Sequence, residues 1–307
     1  MSRAEHFHFR HSQPRAAIDF GPAFAIGTVL NIAYIIVQVV FGIVAHSLAL
    51  LADAGHNFGD VLGLLLAWGA SHLARTRPTP RRTYGLGRSS ILAAIANAVL
   101  LLIAVGGITW EAIRRFGSPG EVGGRTIIMV AAIGVVINGA TAMFFFAGRK
   151  RDLNIRGAFL HMASDAAVSA GVVLAGVIII FSGWHWIDPA TSLAINAVII
   201  WGTWSLLRDS MAMALDLVPP NLDPTAVRQY LETRSGITAV HDLHIWSLST
   251  TEIALSAHLV KPDAASDDET LTRICDDLAC RFDIRHITIQ FERGDAAHPC
   301  RQDPAHV

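Results

Sequence analysis

Six long apolar segments occupy the first two thirds of the sequence and constrain the fold more than any other feature. A helix needs about 20 mostly apolar residues to cross a bilayer. Only 16% of the 307 residues are charged, against about 25% in an average soluble protein. The segments are 24–45, 48–71, 89–112, 126–147, 157–181 and 187–208. The sequence therefore predicts an α-helical membrane protein with six transmembrane helices.

Basic residues are concentrated on one predicted side of the membrane. Short loops rich in Lys and Arg mark the cytoplasmic side of membrane proteins. The basic residues on that side are Arg3, Arg10, Arg15, Arg75, Arg77, Arg81, Arg82, Arg88, Arg149, Lys150, Arg151, Arg156 and Arg208. The opposite side has only Arg114, Arg115 and Arg125. We therefore expect both termini in the cytoplasm, and the compactness of the chain favours a bacterial inner membrane.

The composition changes after Leu217. Pro219 and Pro220 end the sixth helix, because proline lacks the amide donor and clashes with the preceding turn. A helix, two strands, a second helix and a third strand follow, at 224–234, 239–247, 252–259, 267–282 and 286–292. This order predicts a small α+β domain. The predicted organisation is a histidine-containing tail (1–22, with His6, His8 and His11), a transmembrane domain (23–217), an α+β domain (218–293) and a flexible tail (294–307).

Two pairs of ionisable residues share the spacing HxxxD. His56 and Asp60 lie in the second segment, and His161 and Asp165 in the fifth. Residues four apart share one helix face, and ionisable groups inside a membrane normally face the protein interior or a wet cavity. Two helices that face each other would supply two nitrogens and two oxygens, a complete tetrahedral set for Zn²⁺. His161 comes early in its segment, so we expect the fifth helix to begin before Gly157.

Charge balance gives the predicted site a mechanism. Two ionised aspartates and two neutral histidines carry a net charge of −2. Binding of Zn²⁺ neutralises this charge, and so does protonation of both histidines, whereas the empty site is penalised in a low-dielectric environment. Histidine has an unperturbed pKa of about 6.5, close to physiological pH. The site can therefore exchange metal for protons, and the chain has no P-loop for ATP.

Other interpretations of the polar residues stay open. A single HxxxD pair can be a polar contact between helices, and two pairs can form a clamp of His–Asp ion pairs. Asp53, one turn before His56, could approach the same cavity. Gln38 could line the route or make an interhelical hydrogen bond. Helix capping is enough to explain Asp188, which precedes Pro189.

Several longer motifs carry a family resemblance. They are SLALLADAGHNFGD in the second segment, RRTYGLGRSSILAAIAN entering the third, HMASDA in the fifth, DPATSLAI opening the sixth and HDLHIWSLS in the soluble domain. With them the sequence resembles the cation diffusion facilitator family over nearly its whole length, and the paired HxxxD form resembles the zinc-transporting branch. The resemblance implies a homodimeric metal/proton antiporter with a ferredoxin-like cytoplasmic domain for metal sensing and dimerisation. The implied metal positions are His56, Asp60, His161 and Asp165 for transport, and His241, His258, His286 and Glu292 for regulation.

The histidines of the soluble domain can be placed by strand register. If a two-residue turn at Ser249–Thr250 joined the first two strands, His241 would lie opposite His258, within reach across the strands. Ser–Thr is not a favoured pair for such a turn. In the last strand, His286 and Glu292 alternate onto one face. Half-buried sheet histidines without a metal are the alternative interpretation.

The cysteines and the loops add little. Cys275, Cys280 and Cys300 show no CxxC spacing, so structural disulfides are not expected and a reducing compartment is favoured. Cys300, near His298, could add a ligand. The loop GRKRDLNIRGA lacks the histidine-rich insert of some relatives, so any gathering of metal would fall to the N-terminal histidines.

The expected function is secondary active export of Zn²⁺ from the cytoplasm by proton antiport, with Co²⁺, Ni²⁺ and Cd²⁺ as further candidates. The expected partners are divalent metal ions, protons, membrane lipids and a second copy of the chain. No basic stripe indicates nucleic acid, and no organic cofactor is expected. An intramembrane metalloenzyme would need an open coordination position and a general base, and the sequence has no HExxH. A metal sensor that does not transport is the other alternative.

Overall fold

The structure is a computed structural model that describes residues 22–117, 119–146, 153–263, 267–295 and 300. The predicted N-terminal tail with His6, His8 and His11 lies outside the described residues, and so does most of the predicted tail after residue 293.

Six long helices form the N-terminal part of the chain, as predicted. They are α1 (Pro22–Val44), α2 (Leu48–Ala74), α3 (Ser89–Phe116), α4 (Gly124–Phe146), α5 (Leu153–Ser182) and α6 (Ile187–Ala214). Helix α5 begins before Gly157, so His161 lies about two turns inside it. Several helices extend past the apolar segments, for example α3 to Phe116 and α6 to Ala214.

Four of these helices, α3 to α6, are long and apolar enough to cross a membrane. Within the described residues, α1 contains a shorter apolar helical stretch, Val29–Val44, and α2 does not reach the apolar character of these four helices. Large apolar side chains such as Phe181 and Trp201 are more than four-fifths exposed, at 87% and 84%. Exposed apolar surface of this kind indicates contact with lipid. The protein is therefore an integral membrane protein, while a total of six crossings stays a prediction.

The bundle packs around α2, which contacts α1, α3, α5 and α6. Its buried core includes Leu50, Val105, Ile127, Val172 and Ile195. Helices α4 and α5 approach closely where two glycines meet: a Cβ at Gly124 would lie 3.2 Å from the carbonyl oxygen of Gly176. Small residues at such crossings let helix backbones pack tightly in membranes.

Asp188 caps a helix, but not its own. Its carboxylate accepts hydrogen bonds from the Ser47 hydroxyl and from the backbone N–H groups of Leu48 and Ala49, the last two at 2.6 and 3.2 Å. These are orphan donors at the start of α2, which a carboxylate satisfies well. Capping does explain Asp188, but the helix that it caps is α2, reached from the start of α6.

The C-terminal domain has the predicted α-β-β-α-β order. Its elements are α7 (Pro224–Glu232), β1 (Ala239–Ser247), β2 (Ile253–Val260), α8 (Asp267–Phe282) and β3 (Ile284–Glu292). The sheet order is β1-β2-β3, with β1 antiparallel and β3 parallel to β2. The core includes Leu231, Leu255, Leu259, Ile274, Leu278 and Ile284.

The predicted pairing of His241 with His258 is confirmed, although the predicted turn is wrong. A five-residue connection, 248–252, joins β1 to β2 in place of a two-residue turn. That longer loop alone would shift the register by one residue. An irregularity between His241 and His244 restores it, with Asp242 in the left-handed region at φ 49°. An extra residue in one strand is how a β-bulge changes register.

The loop between α2 and α3, together with the first turn of α3, rests against the C-terminal domain. The backbone N–H of Thr250 donates to the Ser90 hydroxyl at 3.1 Å, and the rings of Tyr84 and His286 lie 5.3 Å apart in an edge-to-face arrangement. A Cβ at Gly87 would lie 3.1 Å from the carbonyl oxygen of Leu248. Only glycine allows this close an approach without a shift of the backbone.

Candidate metal sites

The structure brings the two HxxxD pairs together. Nε2 of His56 lies 3.1 Å from Oδ1 of Asp165 on the facing helix and 3.9 Å from Oδ2 of Asp60 on its own helix. Nε2 of His161 lies 3.6 Å from Oδ2 of Asp60 and 3.7 Å from Oδ2 of Asp165. Each carboxylate is therefore close to both imidazoles. We call these four residues the membrane cluster.

Helix geometry explains the membrane cluster. The spacing of four puts each histidine one turn from its aspartate, and α2 contacts α5 where the pairs face each other. Ligand atoms of His56, Asp60 and Asp165 lie within 4.8 Å of one another, and His161, although close to both carboxylates, is not in this tighter group. His161 is the outermost member, with a side chain 46% exposed, whereas the side chain of Asp165 is 4% exposed.

A cavity adjoins the membrane cluster. It has a volume of about 590 Å³ and is lined by residues of α2, α3, α5 and α6, among them His56, Asp60 and His161. Asn97 and Thr203 add polar groups to the lining. A clamp of ion pairs that only joined two helices would need no such space. The cavity therefore favours a site that ions enter and leave.

Asp53 belongs to a separate hydrogen-bond network. Its Oδ2 accepts from Nε2 of Gln38 at 2.6 Å and from the Ser169 hydroxyl at 3.2 Å. Nδ2 of Asn57 donates to Oε1 of Gln38 at 3.0 Å. The network joins α1, α2 and α5 beside the membrane cluster. Of the two interpretations of Gln38, the interhelical hydrogen bond is therefore the one that the structure shows. Among the described residues, Asp53 is not grouped with the ligand atoms of the membrane cluster.

A second group of ligand atoms lies on the sheet. Oε2 of Glu292 is 2.9 Å from Nε2 of His241, and Oε1 is 2.8 Å from Nδ1 of His258. Sγ of Cys300 is 3.3 Å from the same Nδ1. Ligand atoms of all four residues lie within 4.8 Å of one another. We call these residues the sheet cluster.

Strand register builds the sheet cluster. His241 and His258 are cross-strand partners with ring centroids 5.1 Å apart, and Glu292 ends the neighbouring strand. Burial raises the pKa of the Glu292 carboxyl. Hydrogen bonds from Cys300 and His241 and the charges of the two nearby imidazoles lower this pKa by more than burial raises it. The pKa lies below its ordinary value, so this carboxylate is ionised at neutral pH.

The structure places His286 elsewhere. Its ring packs on Tyr84, and among the described residues it is not grouped with the sheet cluster. Asp242, which sequence reasoning missed, lies beside the cluster: its Oδ2 is 3.6 Å from Nε2 of His258 and its Oδ1 is 2.9 Å from Nε2 of His244. The bulge that turns this side chain toward both histidines has no clear sequence signature.

Comparison with known families identifies the class of protein. Residues 24–213 match the family described as the cation efflux transmembrane domain. Residues 219–294 match the cytoplasmic domain of cation efflux proteins. Together the two matches cover most of the chain. The chain belongs to the cation efflux family.

Relatives with assigned names are similar over almost the full length. The cadmium, cobalt and zinc/H(+)-K(+) antiporter of Bacillus velezensis is 37% identical over 277 residues, 89% of this chain and 88% of that protein. The metal cation efflux system protein CzcD of Cupriavidus metallidurans is 35% identical, over 92% and 91% of the two chains. The zinc transporter ZitB of Yersinia pestis is 35% identical, over 90% and 88%. The protein is thus a metal cation efflux transporter, and the metalloenzyme alternative is set aside.

Proposed function

We propose that this protein exports Zn²⁺ from the cytoplasm in exchange for protons, with the membrane cluster as its transport site. The observation that carries the proposal is the arrangement of two imidazoles and two carboxylates, with His56 Nε2 3.1 Å from Asp165 on the facing helix, beside a cavity of about 590 Å³. Nitrogen and oxygen ligands in a tetrahedral set suit Zn²⁺. The relatives named for zinc, cadmium and cobalt, one of them an H(+)-K(+) antiporter, support the same substrate class.

Charge neutrality favours the two loaded states. With both aspartates ionised, the site holds either one divalent ion or two protons, one on each histidine. Both states are neutral overall, so either can be accommodated in a low-dielectric environment that penalises the empty site. The site therefore alternates between its two cargoes with no need for ATP.

The membrane potential determines how much electrical work proton coupling saves during zinc export. Moving the two charges of Zn²⁺ out against an inside-negative potential costs roughly 4.6 kcal/mol per 100 mV. Entry of two protons cancels this electrical cost, and entry of one proton halves it. Cavity-facing histidines supply the groups that would exchange these protons.

The sheet cluster supports a regulatory role in the same protein. We place the C-terminal domain and both termini in the cytoplasm of a bacterial cell, as the distribution of basic loops indicates, and we expect the protein to work as a homodimer. Metal bound at His241, His258 and Glu292 would report the cytoplasmic metal level. The donor set fits a metal, because two imidazole nitrogens, Nε2 of His241 and Nδ1 of His258, converge on an ionised carboxylate.

Zinc flux into liposomes tests the proposal. Purified full-length protein is reconstituted with a zinc-sensitive dye inside the vesicles, and an acid-inside pH gradient is imposed. Zinc uptake should rise with the gradient, acidic vesicles should lose protons as zinc enters, and a protonophore should abolish the acceleration. Protein-free liposomes are the control.

Two results would overturn the proposal in different ways. If zinc flux did not depend on the pH gradient, the protein would carry metal without proton antiport. Zinc binding with no flux at any gradient would support the sensor alternative, in which only the sheet cluster matters.

A further inference from the structure

Within the part of the chain that the structure describes, Cys300 is the one cysteine whose sulfur is grouped with other candidate metal ligands. Its Sγ is 3.3 Å from Nδ1 of His258, and its ligand atom falls within 4.8 Å of those of His241 and Glu292. Cys275 and Cys280 lie in α8 and are not grouped with other ligands among the described residues. None of the three cysteines is in a disulfide.

The first three ligands of the sheet cluster leave a coordination position to fill. Zinc sites with three protein ligands normally keep water or substrate in the fourth position, whereas structural sites are closed by four protein ligands. The sheet cluster is well shielded, with the side chains of His258 and Glu292 only 9% and 15% exposed. A protein ligand in the fourth position is therefore better suited to this site than a free water molecule.

Charge balance points in the same direction. A thiol that coordinates a divalent ion is deprotonated. One thiolate and one carboxylate together offset the two positive charges of the ion, and two neutral imidazoles complete the set. The filled site is neutral, as a shielded site requires. Among the four grouped residues, Glu292 alone would offset only one of the two charges of the ion.

We propose that Cys300 is a metal ligand, and that its thiolate closes the sheet cluster into a four-coordinate His₂GluCys site for Zn²⁺ or another thiophilic divalent ion. This proposal rests on the regulatory site proposed above. The sulfur separates the two proposed metal sites of the protein chemically, because thiolate ligands favour softer metals than a set of imidazole and carboxylate ligands does. Metal binding also fastens the end of the chain, through Cys300, to the sheet at β2 and β3.

Cobalt provides a direct test for sulfur. Full-length reduced protein in detergent is titrated with Co²⁺, which reports a thiolate ligand through an intense near-ultraviolet charge-transfer band. The membrane cluster contains no sulfur and cannot produce this band. We expect the band in the parent and in the double variant Cys275→Ser with Cys280→Ser, and its loss in Cys300→Ser. The affinity of the site in Cys300→Ser should fall by about tenfold or more, since even outer-shell partners of a metal are worth that much.

Alkylation gives a second readout that needs no variant. With a maleimide, Zn²⁺ should protect Cys300 several-fold in the parent protein, as measured by mass spectrometry of the modified peptides. The exposed Cys280 should react at the same rate with and without zinc. Burial, with a further contribution from Asp276, raises the pKa of the Cys275 thiol, so it should react slowly in both conditions.

The outcomes separate this proposal from the one on which it rests. If Cys300→Ser keeps the charge-transfer band, or the parent lacks it at saturating Co²⁺ and zinc gives Cys300 no protection, the thiolate is not a ligand. The double variant His241→Ala with His258→Ala tests the site itself. If that variant binds as many ions as the parent, the regulatory site fails, whatever Cys300 does.

Discussion

The two candidate metal sites of this protein, the membrane cluster and the sheet cluster, both combine histidines with acidic residues, but they are built on different backbones. The membrane cluster joins residues of two helices, and its outermost histidine, His161, is 46% exposed beside a cavity. The sheet cluster joins residues of neighbouring strands, and His258 is 9% exposed. Backbone hydrogen bonds fix the separation of β1 and β2, whereas α2 and α5 meet through side chains and can separate. The first arrangement suits an ion in transit, and the second suits an ion that stays.

The ligand atoms of the two clusters also differ, again in a way that suits transit in the membrane cluster and retention in the sheet cluster. The membrane cluster offers only nitrogen and oxygen, and its carboxylates are shared between two imidazoles. The sheet cluster adds a sulfur atom from Cys300. A transport site has to release its ion on each cycle, so ligands that hold too tightly would slow it, whereas a sensing site has no such constraint. The contrast can be tested by removing ligands from each cluster in turn.

The largest effect is expected from the membrane cluster. Asp60→Ala or Asp165→Ala removes one anionic ligand and leaves the zinc-loaded site with an uncompensated positive charge. Zinc flux into liposomes should fall by more than about a hundredfold, beyond what the loss of an outer-shell partner costs. Chromatography and circular dichroism should show a folded protein of unchanged oligomeric state.

Asp209→Ala is the matched control for these variants. Asp209 also lies in a long helix, but its side chain is 39% exposed and contacts Arg208. Its flux should stay near that of the parent. If Asp60→Ala or Asp165→Ala transported zinc at a comparable rate, the membrane cluster would not be the transport site.

A change of metal preference is expected from His56→Asp. The substitution replaces a nitrogen by a harder oxygen and makes the empty site more negative, so larger or harder ions such as Cd²⁺ or Mn²⁺ should gain relative to Zn²⁺. One titratable imidazole is also lost, so the voltage dependence of zinc flux should change. Competition between metals and flux at several membrane potentials measure both effects. With both properties unchanged, His56 would not be a ligand.

The smallest effect on transport is expected from the sheet cluster. The double variant His241→Ala with His258→Ala should lose one bound zinc ion per chain by calorimetry. Its maximal flux should fall by no more than about tenfold, within the usual range of coupling between sites. His244→Ala, an exposed histidine on the same strand, should change neither quantity. A loss of flux as large as that of Asp165→Ala would mean that the two clusters are not separate in function.

The sequence predicts the parts of this fold that depend on periodicity. The lengths of the apolar segments gave the six long helices, and the spacing of four placed His56 with Asp60 and His161 with Asp165 on facing surfaces. The pairing of His241 with His258 also followed from strand register, although a longer loop and a bulge replaced the predicted turn. These features are local, or repeat along one element, so a single sequence contains them.

Contacts between distant segments were not predictable in the same way. Cys300 follows the last strand by several residues, and nothing in its neighbours shows that it returns to His258. Asp188 lies 140 residues from Leu48 in the sequence, yet its carboxylate accepts a hydrogen bond from the backbone N–H of Leu48. His286 shares a strand with Glu292 but meets Tyr84 from another domain. Each of these contacts depends on how elements pack, which residue spacing along one element does not encode.

The loop between α2 and α3 connects the C-terminal domain to α2, the helix that carries His56 and Asp60. Tyr84 and Gly87 of the loop and Ser90 in the first turn of α3 contact the C-terminal domain. The domain therefore cannot shift without breaking these contacts or pulling on α2. If the proposed metal binding changed the shape of the sheet, these contacts would transmit the displacement to α2. Regulation of the proposed transport site would then be mechanical and would need no exchange of ions between the two clusters.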